Sequence, residues 1–544
     1  MRSGFLSLLL LALVSACGGG GGSSTTSAPP VAGGNNSDDQ GGDTFSSGFA
    51  RFQDKTSALG LAYQVVQIDQ GELGEFSGGV ALDDIDNDGR FELYVTHGRN
   101  ETGKLFTYDG TGFVQLEDNN GIDPFTMDRA GYFVDIDADG FKDFVSVQYK
   151  ATQVFMNDQT GHFSESLYPG IFHERATFSL AAADYDIDGD IDLFFTRWGS
   201  FYDPAQPLTE YLWQNQGGGV FVDLSDTVAV DSEPSENLDN VIPEFSFTAN
   251  FADIDNDGYP DMLLASDFER SQVLRNEAGI RFIDATVQNV ITDKNGMGGA
   301  IGDYDRDGDL DWFVSSIHDP ENISGEGIRD GNRLYRNADG LGNFEDVTDE
   351  AGVRNGYWGW GSCFADFDND GHLDLFHTNG AQNFDDPFEN DPSRLFMSNG
   401  DGTFTEKSSE SGIDHTGQGR GIICADYNND GRIDIFIANN GIAPTVFENT
   451  TDNDNHFIAV QLVGTGENPD AIGARVTIEA TSGAQLREVQ LGTWYLSQGP
   501  QTLHFGLGED DVVSRIHIRW PGPGNPTSEV DNIVVDQLMT IEHP

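Results

Sequence analysis

Seven times along this chain an Asp-x-Asp-x-Asp-Gly segment, or in the last copy a close variant, recurs with a further acidic residue three positions after the glycine. The sets are Asp84, Asp86, Asp88 and Glu92; Asp135, Asp137, Asp139 and Asp143; Asp184, Asp186, Asp188 and Asp192; Asp253, Asp255, Asp257 and Asp261; Asp303, Asp305, Asp307 and Asp311; Asp366, Asp368, Asp370 and Asp374; and Asp426, Asn428, Asp430 and Asp434. Side chains at the first, third and fifth positions converge on the loop centre, and the ninth closes the cage. The glycine at the sixth position supplies the positive φ that turns the chain back. Oxygen-only ligands on such a loop select Ca²⁺, up to seven per chain, and no His or Cys recurs to favour zinc. An EF-hand would need a bidentate Glu at position twelve and flanking helices. Position twelve is Val95, Ser146, Phe195, Leu264, Val314, His377 and Ile437, and the flanks are short β-like runs. Each loop therefore reads as the turn of a β-hairpin.

The first aspartates are 49 to 69 residues apart, room for a four-stranded propeller blade. In one repeat the four strands read as 361–365, 373–378, 393–397 and 403–406. The last repeat has a third strand at 445–448 and lacks a fourth. Residues 51–57, which precede the first repeat, fill that gap and close the ring. The expectation is an all-β chain: a seven-bladed β-propeller over 48–454, its last blade closed by the N-terminal strand. A small β-sandwich or barrel domain follows over 455–544, where the acidic motif stops and β-like runs continue.

Lys and Arg number 28 against 91 Asp and Glu, a formal net charge of −63. Such a field repels nucleic acid and anionic lipid surfaces. Residues 1–17 carry Arg2, an apolar run from Phe5 to Val14, then Ser15-Ala16-Cys17: a secretory signal too short to span a membrane. Leu13 to Cys17 resembles a bacterial lipobox, which makes Cys17 the lipidated residue and the membrane contact a lipid anchor. The expected location is outside the cytoplasm, at the outer membrane or cell surface. Residues 18–47, rich in Gly, Ser, Thr and Asn, read as a flexible tether. Cys363 and Cys424 stand just before two of the loops. Packed sheets lie about 10 Å apart, beyond the reach of a disulfide, so both are read as buried free thiols.

Met297-Gly298-Gly299-Ala300-Ile301-Gly302-Asp303-Tyr304-Asp305 and Arg333-Leu334-Tyr335-Arg336-Asn337 resemble the FG-GAP/VCBS repeats of integrin-type propellers. Ala471 to Val476, Tyr495 to Gln498, Leu503 to Gly508 and Ile518 to Pro521 resemble the ASPIC/UnbV domain, with a longer, proline-rich segment from Trp520 to Asn525. The combination is that of cartilage acidic protein-like proteins and their bacterial relatives. The resemblance implies secretion, calcium binding and adhesion or recognition without an established reaction, and a ligand face opposite the calcium turns.

On that opposite face the sequence places long irregular loops. Arg129, Arg420 and Trp360 each stand six residues before an acidic loop, and Arg175 nine before. With Trp358 they form a candidate site for an anionic sugar or a surface-protein ligand, since arginine bridges carboxylate or sulfate and tryptophan stacks on sugar rings. No nucleophile elbow, zinc-protease motif or phosphate loop is present, so no catalytic residue is assigned. A polysaccharide-active enzyme is the alternative, with His173 and Arg175 its best pair, and an accessory subunit of a surface complex is a third reading. His97, His318, His377 and His415 are the other histidines placed near this face.

Overall fold

The computed structural model describes residues 48–65, 76–97, 102–124, 128–148, 151–166, 177–198, 211–225, 245–325, 327–381, 387–466, 468–492 and 494–544. Arg175, His173 and Cys17 lie outside them. Ser46–Pro544 form one compact unit.

Seven blades of four antiparallel strands carry the seven acidic loops, and the first blade gains a fifth, parallel strand, Ser497–Gln498, at its inner edge. Their first, innermost strands are Val80–Asp83, Asp128–Val134, Leu180–Ala183, Ser246–Ala252, Gly299–Gly302, Gly359–Ala365 and Gly419–Ala425, and they define blades 1 to 7. In blade 6 the strands run Gly359–Ala365, Asp374–Asn379, Arg394–Ser398 and Phe404–Glu406, within two residues of the sequence reading. The inner strands meet in succession, those of blades 2 and 3 through the Leu180 N–H, which donates to the Tyr132 hydroxyl at 3.2 Å, and that of blade 7 packs back against that of blade 1. Phe52–Asp54 supplies the fourth strand of blade 7 by pairing antiparallel with Phe447 to Asn449. Between blades lie satellite cores such as Ala81, Tyr94, Phe133, Phe144, Phe155 and Phe163. The apolar alternation of neighbouring sheets buries itself there.

Hydroxyl side chains link the inner strands. Thr96 donates to the Arg129 carbonyl at 2.8 Å, Thr248 to the Met297 carbonyl at 2.7 Å, and Ser315 to the Trp360 carbonyl at 2.5 Å. Each satisfies a carbonyl that faces the axis and has no strand partner there.

Cys363 and Cys424 are joined in a disulfide, with Cα atoms 6.6 Å apart, which corrects the free-thiol reading. The 10 Å spacing applies to flat sheets packed face to face. Here the two cysteines lie on the inner strands of blades 6 and 7, where blades converge on the propeller axis and the backbones approach. At Gly361 a Cβ would stand only 2.6 Å from the Arg420 carbonyl of the next blade.

The C-terminal segment is a two-sheet sandwich. His456–Val463 lies between Leu503–Gly508 and Gln537–Glu542. The second sheet orders Gly483–Glu488, Arg475–Ala480, Val512–Arg519 and Thr527–Val534. Ile458, Val460, Val476, Ile478, Phe505, Ile516 and Ile518 fill the space between them. That core does not stop at the sandwich. It continues through Leu491, Tyr495 and Leu496 into the centre of the propeller, where it joins Phe178, Phe247 and Trp360. Ser497 and Gln498 pair parallel with Val80 and Ala81. The Tyr495 hydroxyl donates to the Phe76 carbonyl at 2.8 Å. Gln498 bonds both the N–H and the carbonyl of Phe133, at 2.6 and 2.9 Å. Leu491 and residues 494–498 thus plug the ring, and the two domains share one core.

Candidate metal centre

Each acidic loop is held open by its own backbone. In blade 1 the two oxygens of the first-position Asp84 accept from the N–H groups of Asp88 and Gly89, at 3.1 and 2.9 Å. The same pair of bonds recurs at Asp135, Asp184, Asp253, Asp366 and Asp426. The ninth-position carboxylate accepts the N–H of the second position, as from Ile136 to Asp143 at 3.1 Å. It also accepts a third-strand N–H, as from Asn157 to Asp143 at 2.8 Å. These bonds aim the remaining lone pairs into the loop. In the loops of blades 1 to 5, at positions one, three and nine, three ligand oxygens gather within 4.8 Å of one another. Opposite ligands on a Ca²⁺ with bonds of 2.3–2.6 Å are at most about 5 Å apart, so the cages match that ion in size.

The electrostatics agree. Burial, reinforced by neighbouring carboxylates, pushes Glu92, Asp143 and Asp261 up to about 8 and Asp135, Asp184 and Asp303 up to about 7. It raises Asp192, Asp311, Asp374 and Asp434 well above the usual carboxylate range. Buried oxygens of Asp186, Asp303, Asp305, Asp368 and Asp434 have no hydrogen-bond partner. A buried acceptor without a donor costs about 1–3 kcal/mol, and a divalent cation at the loop centre answers the need of all of them.

Two features of the loops are absent from the motif as read. First, the fourth position is left-handed in all seven: Asn87, Ala138, Ile187, Asn256, Arg306, Asn369 and Asn429 have φ between 57° and 61°. Asn tolerates that well; a β-branched Ile187 does not. Second, an Asn ending the third strand ties each such blade to the one before. Asn157, Asn215, Asn276, Asn337 and Asn449 donate their side-chain N–H to the carbonyls of Ile85, Ile136, Tyr185, Ile254 and Phe367, at 2.7–3.1 Å. Those carbonyls belong to the second position of the preceding blade's acidic loop, so one loop orders its neighbour. The recurrent Asn before the second turn was the available signal, and turn propensity alone accounts for it equally well.

The C-terminal sandwich sits against these loops. Lys142 of loop 2 pairs with Asp470 at 2.5 Å. Asn453 and Asn455 donate to the Asp368 carbonyl of loop 6, at 2.7 and 2.8 Å, and Gly508 N–H donates to the Asn369 carbonyl. His504 bonds the Gly431 carbonyl of loop 7 at 3.1 Å.

The residues assigned to the opposite face come together, but in the interior. Arg129 and Arg420 are 1 % exposed, Trp360 1 % and Trp358 5 %. The Arg420 guanidinium lies 4.1 Å over the Trp360 ring and donates to the Ala381 carbonyl. Arg129 lies 5.0 Å over Phe178 and donates to the Thr177 carbonyl. Trp358 stacks on Trp360 with centroids 6.4 Å apart, and Trp360 meets the Tyr495 plug at 5.3 Å. His97 and His377 are buried and pushed down to about 3, and His415 to about 4. All three are held neutral by desolvation.

An FG-GAP-like repeat model matches residues 84–146, 135–195, 253–314, 319–377 and 388–437, and an ASPIC and UnbV model matches residues 464–544. Cartilage acidic protein 1 of Xenopus tropicalis is 24 % identical over 501 residues, covering 86 % of this chain and 73 % of that protein. Its Homo sapiens counterpart is 23 % identical over 510 residues, covering 86 % and 72 %. Among solved structures, an Agrocybe aegerita lectin specific for non-reducing terminal N-acetylglucosamine aligns with TM-score 0.40 and 16 % identity, over 69 % of this chain and 94 % of the lectin. PorZ, a type-IX secretion component of Porphyromonas gingivalis, aligns with TM-score 0.39 and 11 % identity, over 85 % and 59 %.

Proposed function

For a chain that belongs to the FG-GAP-like repeat family, we propose the role of a calcium-stiffened, non-catalytic recognition module, exported and tethered through a lipid on Cys17. The observation that carries the calcium reading is the set of buried carboxylate oxygens in the loops of blades 3, 5, 6 and 7 that have no donor. Ca²⁺ supplies what they lack, and the first, third, fifth and ninth positions of the loops are its ligands. The chemistry it adds is charge neutralisation within a turn, which fixes the blades to which the turns belong.

The reading places ligand capture on the side away from the loops, since the sandwich already packs against the loop side. Arg129, Arg175, Arg420, Trp358 and Trp360 are the residues proposed around that mouth. The four of them that are described are 1–5 % exposed, so their part is to support the surface loops that would meet an anionic glycan or an acidic protein segment rather than to touch it. The face opposite the loops is also where the exposed apolar side chains Phe268, Ile323 and Ile328 are found, and these widen the range toward protein ligands.

The test is a glycan and surface-protein array probed with the full chain in calcium and in excess chelator. Capture that needs calcium and is lost in Arg129→Ala, Arg420→Ala supports the reading if the calcium-dependent melt survives; a collapsed melt makes the two buried arginines structural. A melting temperature indifferent to chelator would overturn its calcium half. The lipid half is checked by fatty-acid labelling, which Cys17→Ser should abolish. Among the described residues no helix is long and apolar enough to cross a membrane.

A further inference from the structure

The fourth loop differs from its neighbours. Its Asp253, Asp255 and Asp261 converge as the others do, yet two of the three carboxylates are already held by guanidinium groups. Arg519 of the sandwich reaches Asp253 Oδ2 at 2.5 Å. Arg275, in the third strand of the same blade, forms an ion pair with Asp255 Oδ2. A second sandwich arginine, Arg475, donates to the Asp253 carbonyl and to the Asn256 side chain, while its own charge is balanced by Glu488 at 2.8 Å. No carboxylate oxygen of this loop is among the buried oxygens without a donor, whereas loops 3, 5, 6 and 7 each contribute at least one; loop 1 contributes none either, but no guanidinium forms an ion pair with its first or third position.

The sequence explains why blade 4 alone does this. Arg336 stands at the matching place in blade 5, but its cross-strand neighbour is Glu345, which pairs with it at 2.8 Å and draws it away from Asp305. The cross-strand neighbour of Arg275 is Ile283. With no carboxylate beside it on the strand, Arg275 turns to the third position of its own loop. Blades 1 and 7 also place an arginine near a loop. There Arg90 and Arg432 sit at the seventh position and pair with the fifth-position Asp88 and Asp430; Arg432 also donates to the Asn449 carbonyl at 2.9 Å, and neither guanidinium forms an ion pair with a first- or third-position side chain. Arg475 and Arg519 are adjacent in the sandwich sheet, directly cross-strand, so they arrive at loop 4 as a pair.

We propose that loop 4 is a docking site for the C-terminal sandwich and not a calcium site: guanidinium groups from Arg519 and Arg275 take the place of the cation, and the chain binds six Ca²⁺ at saturation. Two guanidiniums carry the same +2 charge as one Ca²⁺, and each carboxylate–guanidinium contact is a charge-assisted bond made in a partly buried setting. The same fan of carboxylates that suits a divalent ion also suits a pair of arginines.

This inference rests on the calcium reading of the other loops, and one measurement separates the two. Equilibrium dialysis of the full chain with radioactive calcium gives the number of ions bound at plateau. Six is expected. Arg275→Gln combined with Arg519→Gln should raise the plateau to seven, and adding Asp255→Asn to that pair should return it to six. Asp305→Asn in the otherwise native chain should lower it to five, which shows that a single site is resolved. A plateau of seven in the native chain overturns the proposal and leaves the calcium reading intact. So does a double variant that keeps its calcium-stabilised melt and stays at six. A plateau of zero overturns both.

Discussion

The inter-blade asparagines make a sharp mechanical prediction. Asn276 is 4 % exposed. Its side-chain N–H groups serve the Tyr185 and Pro260 carbonyls at 2.7 and 2.9 Å, and its side-chain oxygen accepts the Gly279 N–H at 2.8 Å. The bond from its backbone N–H to Asp261, 2.7 Å long, does not involve the side chain. Asn276→Ala therefore leaves the Asp261 carboxylate in place while stripping three backbone groups of their partners. At about 1 kcal/mol each, the low end for a buried group left unsatisfied, the loss is about 3 kcal/mol. An unfolding entropy of about 2.1 cal/mol/K per residue over about 500 residues gives about 1 kcal/mol/K, so the melt should fall by about 3 °C. Scanning calorimetry in saturating calcium reads this directly. Asn343→Ala removes an exposed bond to Asp339 and should shift the melt by less than about 0.5 °C. The converse change, Ser398→Asn in blade 6, should install a bridge to the Tyr304 carbonyl and raise the melt by about 1 °C. If Asn276→Ala melts with the native chain, the asparagines are turn formers and the coupling between loops is wrong.

Four further outcomes are expected. In chelator the melt should fall as pH rises from about 4 toward 8, because Glu92, Asp143 and Asp261 have folded values near 8, above their unfolded ones. Acids with raised values bind more protons when folded, so their stability is present at low pH and lost on the way up. In calcium the slope should reverse over the same range, as protons compete with the ion. Cys363→Ser with Cys424→Ser opens a cross-link spanning 61 residues; the chain-entropy model assigns it about 4 kcal/mol, read as a lower denaturant midpoint. Tyr495→Ala empties the plug and should cost about 3–5 kcal/mol, against about 1 kcal/mol for Tyr495→Phe, which loses only the bond to Phe76; equal losses would mean the ring packing contributes nothing. Ile187→Asn relieves a β-branched residue at φ 60° and should stabilise by about 1 kcal/mol.

The repeat count, the blade strands and the use of residues 52–54 to complete blade 7 follow from local signals: periodic carboxylates, alternating apolar runs and a missing fourth strand. What escaped the sequence depends on distances between blades. The disulfide needs the convergence of inner strands toward an axis, which an average sheet spacing does not contain. Arg129, Arg420 and Trp360 share an offset from the loops, but the offset carries no sign for inward or outward, and Tyr495, which meets Trp360 in the interior, comes from more than 70 positions further along the chain. Arg275 could be singled out only by its cross-strand neighbour Ile283, and Arg519 only by the docking of a second domain.

The pairing of Phe52–Asp54 with the end of blade 7 also sets a schedule. The Arg51 N–H finds its acceptor on Thr451, 400 positions downstream. A chain emerging N-terminus first, whether from a ribosome or through a translocation pore, must carry that strand unpaired while six blades form behind it. Residues 491–498 arrive later still, so the apolar axis of the ring stays open to water until nearly the whole chain is out. Closure and plugging are therefore late events: a truncation before about residue 449 would leave an open ring with an exposed seam, and one between there and about residue 498 a closed ring with an unplugged apolar axis, the kinds of surface that quality-control proteases and holdase chaperones bind.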